Sequence, residues 1–436
     1  MRILTACLFI ALCLLGTTTA HADEPMGDPP LRWWKGNLHT HSLWSDGDDF
    51  PEMIGQWYRD QGYHFLALSD HNILSEGIRW MKRSEIVKRG GKDALAKYQA
   101  QFGKEWVETR GQMDAPDFEI RLKPLSEYRA LVEERQRFLM IPSEEISDKA
   151  EGLPIHLNAT NIQELIQPLG GKTVKETLAA NVRAVQEQAE RKGREILVHI
   201  NHPNFHLAIT AEELAEVVAE RYFEVYNGHP GVQQLGDEHH PSVESLWDIA
   251  NTIRLAQLKS PPLMGVATDD THDYHGQPGA RPGRGWIMVE ARHLTPESLI
   301  RAIKAGRFYA SSGVTLEGFS FDAATKELKV EIASEEGAEY TTQFIGTLAD
   351  ADFSSQPAID KEGKPIRATR KYSGEIGKVL AEVKGTSASY TLTGKELYVR
   401  ATITSTRPHR DPSFKGQSQQ AWVQPVGWEG QLEAKE

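Results

Sequence analysis

Cysteine is nearly missing from this chain. The only two, Cys7 and Cys13, lie within the first 22 residues. A chain trimmed there has no thiol for a disulfide framework, for nucleophilic catalysis or for metal ligation, so any metal must rest on His, Asp and Glu. No run of Lys and Arg occurs, and the formal net charge is −12 over 436 residues, which argues against nucleic acid as a partner. Past the amino-terminal run, no apolar stretch reaches the ~20 residues a membrane-spanning helix needs, so no stable membrane anchor is expected. Internal repeats and low-complexity tracts are missing too.

The first residues hold a leader. "MRILTACLFIALCLLGTTTAHA" joins Arg2, an apolar run from Ile3 to Gly16 and the small-x-small exit Ala20-His21-Ala22, the pattern of a cleavable secretory signal. Residues 1–22 are therefore expected to be removed, leaving Asp23 first and delivering the chain to the periplasm or the exterior. An uncleaved anchor is the alternative, and the shortness of the run disfavours it. Cys7 precedes most of the apolar run, which argues against lipidation.

With 39% hydrophobic and 25% charged residues, the remainder reads as a folded chain of two domains. From residue 31 to 313, short apolar runs alternate with amphipathic helices. "HFLAL" (64–68), "RFLMI" (137–141), "EILVHI" (195–200), "YFEVY" (222–226) and "PLMGVA" (262–267) read as strands. Thr173 with Glu176 and Thr210 with Glu213 have the spacing of helix-start capping boxes. Such alternation predicts an α/β fold with a parallel sheet or barrel. Residues 81–135 interrupt it as a charged, helix-prone insertion, read as a solvated surface element or a lid over the strand ends. Residues 314–430 switch to short period-2 segments with β-branched and aromatic residues, the texture of a small antiparallel β domain.

Polar residues follow the strands: "SDHN", "PSEE", "NHPN", "NGHP" and "TDDTH". This is where α/β barrels build active sites. "NLHTHSLWSDG" places His39 and His41 on one face, and Asp46 follows in a turn. Taken alone, His-x-His is more often incidental, and Asp46 reads equally well as an ordinary turn residue. Beside them stand Asp70-His71, Glu144-Glu145, His156, His199, His202, Asp270 and His272. Such groups would repel one another if gathered without cations.

The set "NLHTHSLWSDG", "ALSDHN", "PSEEIS", "NHP" and "ATDDTH" resembles the PHP (polymerase and histidinol phosphatase) superfamily, and "IHLNAT" with Asn201-His202-Pro203 resembles its carbaryl-hydrolase-like (CehA/McbA-like) branch. The resemblance implies a distorted seven-stranded (β/α) barrel with a trinuclear site at its strand ends. It also implies that His39, His41, Glu145 and Asp270 hold one ion, Glu145, His156 and His202 a second, and Asp46, His71 and His272 a third. Glu145, followed by Ile-Ser, would be the bridge, and Glu144 is rejected. Asp46 stands where some relatives have His. His199 competes with His202, and the Pro after His202 favours the latter.

Such donors suit two to three divalent ions of Zn, Mn or Fe, and a hydroxide shared between ions would attack the substrate. Asp70 is expected to orient the His71 imidazole or to shuttle a proton. Arg281 and Arg284 in "ARPGRGW" are candidates to neutralise an anionic small-molecule substrate, with ordinary surface arginines as the plain alternative. The expected activity is phosphoester hydrolysis. Carbamate, ester or amide hydrolysis is the alternative enzyme reading, and a non-catalytic envelope binding protein the other.

Overall fold

The computed structural model describes residues 28–113 and 115–432. The leader assigned to residues 1–22 lies outside them, as do Cys7 and Cys13. Among the described residues, no helix is long and apolar enough to cross a membrane.

The fold is mixed α/β, with one large sheet and smaller antiparallel ones. The large sheet contains β1 (Arg32–Asn37), β2 (Phe65–Leu68), β3 (Leu139–Ala150), β4 (Leu153–Thr160), β5 (Leu197–Ile200), β6 (Tyr222–Asn227), β7 (Met264–Thr268), β8 (Trp286–Ala291), β9 (Phe308–Ser311), β10 (Tyr340–Leu348), β11 (Lys378–Lys384), β12 (Glu396–Pro408) and β13 (Ser418–Val426). Their spatial order is β7-β6-β5-β4-β3-β2-β1-β8-β9-β13-β12-β10-β11.

The expected parallel pairing holds in two blocks of the large sheet, between β1, β2 and β3 and again between β5, β6 and β7. Between these blocks, β3, β4 and β5 run antiparallel, because "LPIHLNAT" is a strand in its own right and folds back on β3. Among the described residues the strands do not hydrogen-bond into a closed ring. The side chain of Gln424 instead satisfies the β7 edge: Gly265 donates to its Oε1 at 2.8 Å, and its Nε2 donates to the Gly265 carbonyl at 2.9 Å. Beyond the strands, His41 donates from its backbone to Thr271 O (2.9 Å) and Asp270 to His39 O (3.0 Å). The chain after β1 is thus stitched to the chain after β7.

Local sequence explains the covering helices. The helix Val174–Lys192 starts where the Thr173 hydroxyl accepts from the Glu176 amide and ends at Gly193 in the left-handed region. Thr210 and Glu213 form the expected capping box over the short helix Ala211–Glu216. Apolar faces of these helices close over β4 to β7 in a core that includes Ile155, Leu178, Val182, Leu214, Phe223 and Trp247.

The insertion is not purely helical. Strands Arg79–Lys82, Thr109–Arg110 and Glu119–Leu122 form a small antiparallel sheet beside helices Arg83–Gly90 and Ala94–Phe102. Its apolar core also takes in Leu43, Trp44 and Phe50 from the turn after β1. The β-rich region continues the large sheet through β9 and β13. Its Arg400 meets Asp248 on the helix Val243–Thr252 at 2.6 Å, both side chains buried.

Candidate metal centre

All nine sequence-expected ligands converge beyond the β1, β2, β5 and β7 ends and on the facing stretches of β3 and β4. They fall into overlapping groups whose ligand atoms lie within 4.8 Å of one another: His41 with Asp46, His71 and His272; His39 with His41 and Glu145; His39 with His202 and Asp270; and His71 with Glu145 and His156. The groups share members more than the three-ion scheme anticipated. His71 faces Glu145 and His156 as well as Asp46, and His202 faces His39 and Asp270.

Glu145 is the hub. Its Oε1 lies 3.0 Å from His156 Nδ1, 3.3 Å from His39 Nε2 and 3.4 Å from His202 Nε2. Its Oε2 lies 2.7 Å from His71 Nδ1 and 3.5 Å from His41 Nε2. Strand register explains the choice between the two glutamates. Glu145 pairs with Asn158 and Ser147 with His156, so the site face of β3 meets the site face of β4. Glu144 points the other way and accepts from the Ile166 amide at 2.7 Å. Both glutamates lie within β3 and not in a loop after it, because the strand runs on to pair with β4.

Asp270 closes the other side, with Oδ1 3.1 Å from Nε2 of both His39 and His41. Asp46 is half exposed and reaches His272 Nε2 at 3.4 Å and His71 Nε2 at 3.5 Å. Asp270 and His202 hold φ of 49° and 22°, positions that cost about 1–3 kcal/mol each and persist where surrounding contacts impose them. Asn227 Nδ2 donates to Asp270 Oδ2 at 3.1 Å, and the His202 amide donates to Glu224 Oε2 at 2.7 Å.

Glu224 is the residue that sequence reasoning missed. It sits inside "YFEVYN" on β6, and its Oε1 accepts from His39 Nδ1 (2.7 Å) and the Thr268 hydroxyl (2.6 Å). A carboxylate on Nδ1 fixes the proton there and turns the Nε2 lone pair toward Glu145 and Asp270. His272 is set in the same way by its Nδ1 contact to the Asp270 carbonyl, 2.9 Å. The one sequence signal for Glu224 was a lone charge within an apolar strand. His199, the rejected competitor, is buried beside Glu224 at 3.5 Å, behind His39. Asn201, noted in the sequence only as part of the Asn201-His202-Pro203 resemblance, donates to Glu145 Oε1 at 2.7 Å.

The donor set fits divalent cations. His39 Nε2 and Glu145 Oε2 are buried close to other ligand atoms but make no hydrogen bond of good geometry with them, a costly state for polar atoms unless something else satisfies them. Against its burial, Glu145 is held well below the usual carboxylate range by His71, His156 and His39. Burial and the neighbouring His272 and His71 push His41 down to about 3, leaving a neutral imidazole suited to ligation.

Two expectations are corrected. Asp70 contacts no imidazole: it accepts from the Ser42 amide and hydroxyl, each at 2.8 Å, and from the Ser45 amide at 3.0 Å and hydroxyl at 2.6 Å. It shapes the turn that carries Asp46. Arg284 is buried and spent on the carbonyls of Gly228 and Gly279, both at 2.8 Å, and on Asp411. Arg281 pairs with the same Asp411. Both arginines serve the join to the β-rich region, because the segment after β7 runs beneath Asp411.

No family model matches the chain, and no curated protein matches it. Among solved structures, a two-domain protein from Bacteroides vulgatus containing a predicted PHP-like metal-dependent phosphoesterase is 13% identical, with 91% of this chain and 96% of that one covered and a TM-score of 0.37. A candidate metal-dependent phosphoesterase from Bifidobacterium adolescentis is 14% identical, covering 58% and 91%, with a TM-score of 0.28. PsfC from Pseudomonas syringae is 11% identical, covering 62% and 88%, at 0.32. Likenesses this loose carry no weight for the activity, which rests on the site itself.

Proposed function

We infer that the protein is a metal-dependent phosphoesterase of PHP type, exported by a cleaved leader and built as a distorted barrel-like sheet with a β-rich extension. The observation that carries this reading is the sharing of Glu145, through both oxygens, among imidazoles from separate strands. Divalent cations held by such donors would acidify a bound water and offset the negative charge of the phosphoryl oxygens.

The chain's own residues supply the order. His39, His41, Asp46, His71, Glu145, His156, His202, Asp270 and His272 would hold the ions. Glu224 and the Asp270 carbonyl fix the imidazole protons of His39 and His272 at Nδ1, Asn201 holds the Glu145 carboxylate in place, and Asp70 sets the Asp46 turn. A donor set wide enough for more than one ion suits a phosphoryl group, which offers several oxygens at once.

The test is purification of the mature chain without chelator, metal analysis, and assay of nitrophenyl mono- and diphosphates beside nitrophenyl acetate and an aryl carbamate. Phosphoester turnover with bound metal is expected. Turnover confined to the acyl substrates would replace this reading with a carbamate or ester hydrolase, and no metal with no turnover would leave a binding protein. Amino-terminal sequencing of exported protein is expected to begin at Asp23.

A further inference from the structure

His229 follows β6 in "NGHP" and belongs to none of the ligand groups. Its amide donates to Asn227 Oδ1 at 2.8 Å, and its Nδ1 accepts from the Gly231 amide at 3.0 Å. An imidazole whose Nδ1 lone pair is occupied by an N–H carries its own proton on Nε2. His229 Nε2 is thus a fixed donor and not a lone pair for a metal. The His229 side chain is half-buried at the rim of the cluster.

The ring stands over the ligand face. It lies 5.8 Å from the His272 ring and 5.5 Å from Phe205, which in turn lies 5.0 Å from the His202 ring. The ionisable groups that bear on it are Asp270, His272, His202 and His39. Gly231 is required for the arrangement: a Cβ there would come within 2.9 Å of His229 Nδ1 and 3.0 Å of Phe205. A glycine and an Asn side chain thus hold one imidazole in a fixed orientation beside the cluster.

We propose that His229 binds substrate, its Nε2–H donating to a non-bridging oxygen of a phosphoryl group held at the metal centre. The proposal rests on the phosphoesterase reading. Neutral at Nδ1 and protonated at Nε2, the ring needs no bond change to act; it adds one directed hydrogen bond to an anionic oxygen.

The test compares wild type with His229→Phe, His229→Gln and Gly231→Ala, each metal-loaded, by metal content, by calorimetric binding of inorganic phosphate, and by kcat and KM on nitrophenyl phosphate. All variants should keep wild-type metal content. His229→Phe should weaken phosphate binding and raise KM by about ten- to a hundredfold, the weight of one hydrogen bond to a charged group. His229→Gln, which keeps an N–H donor, should recover most of that loss, and Gly231→Ala should fall between. Wild-type phosphate affinity and KM in His229→Phe would overturn the proposal while leaving the phosphoesterase reading intact. Loss of metal in both His229 variants would make the residue a ligand and overturn it too. A metal-loaded wild type that neither binds phosphate nor cleaves a phosphoester would end both readings together.

Discussion

Glu224 Oε1 lies 2.7 Å from His39 Nδ1, with both side chains closed off from solvent. This contact decides which nitrogen of His39 faces the cluster, although Glu224 is itself turned away from Glu145 and Asp270. Changing Glu224 to Gln keeps the shape but puts an amide where a carboxylate accepts from the His202 amide and Asn227 Nδ2. Metal affinity should fall about ten- to a hundredfold, as for other partners of ligand imidazoles, and a chelator-competition titration would read it.

Removing ligands acts more severely. His39→Ala and Glu145→Ala should each lose bound metal on dialysis while keeping a wild-type far-UV circular dichroism spectrum. Full activity retained in either variant would refute the assignment.

The insertion reaches the site through Arg89. Its Nη1 donates to the carbonyls of Ser45 at 2.5 Å and Gly47 at 3.4 Å, either side of Asp46. Arg89→Met should loosen that turn and weaken the ion shared by Asp46, His71 and His272, leaving the ions at Glu145 in place. A metal titration showing one weakened equivalent is the expected result; uniform weakening of all equivalents would contradict it.

Glu52, on the helix Pro51–Asp60, is buried, and its Oε1 accepts from Tyr98 at 2.6 Å and Trp106 at 3.1 Å. Burial pushes its carboxyl up to about 7. The folded state therefore keeps a proton that the unfolded chain releases above its ordinary value near 4.5. That contribution is whole below about 4.5 and is lost as pH rises through about 7, with a weight of roughly 3 kcal/mol. Glu52→Gln should flatten the fall in melting temperature between pH 5 and pH 8 and leave the mutant the more stable protein at pH 8. An unchanged slope would show that Glu52 is ionised when folded.

Much of the site was legible because its ligands come as short motifs at strand ends, and polar residues rarely collect there for packing alone. Glu224 was not, since a single Glu in an apolar strand has no partner visible in sequence; its role depends on His39, which arrives from the far side of the sheet. Asp70 was misread for a related reason: adjacency to His71 in sequence places the two side chains on opposite sides of the backbone. The arginines of "ARPGRGW" were judged by position alone, and Asp411, which claims both, lies in a different part of the chain. For the fold, apolar alternation found β2, β3 and β5 to β7 but could not set direction, so the antiparallel turn from β3 into β4 stayed hidden.

The backbone stitch between residues 39–41 and 270–271 also sets a folding order. His41 and Asp270 are 229 residues apart, and closing so long a loop comes late in folding because its entropy must be met before the contact repays it. Until β7 is laid down, Asp270 and His272 are missing from the cage. An ion taken up by the full set would therefore seal the finished fold and not seed it.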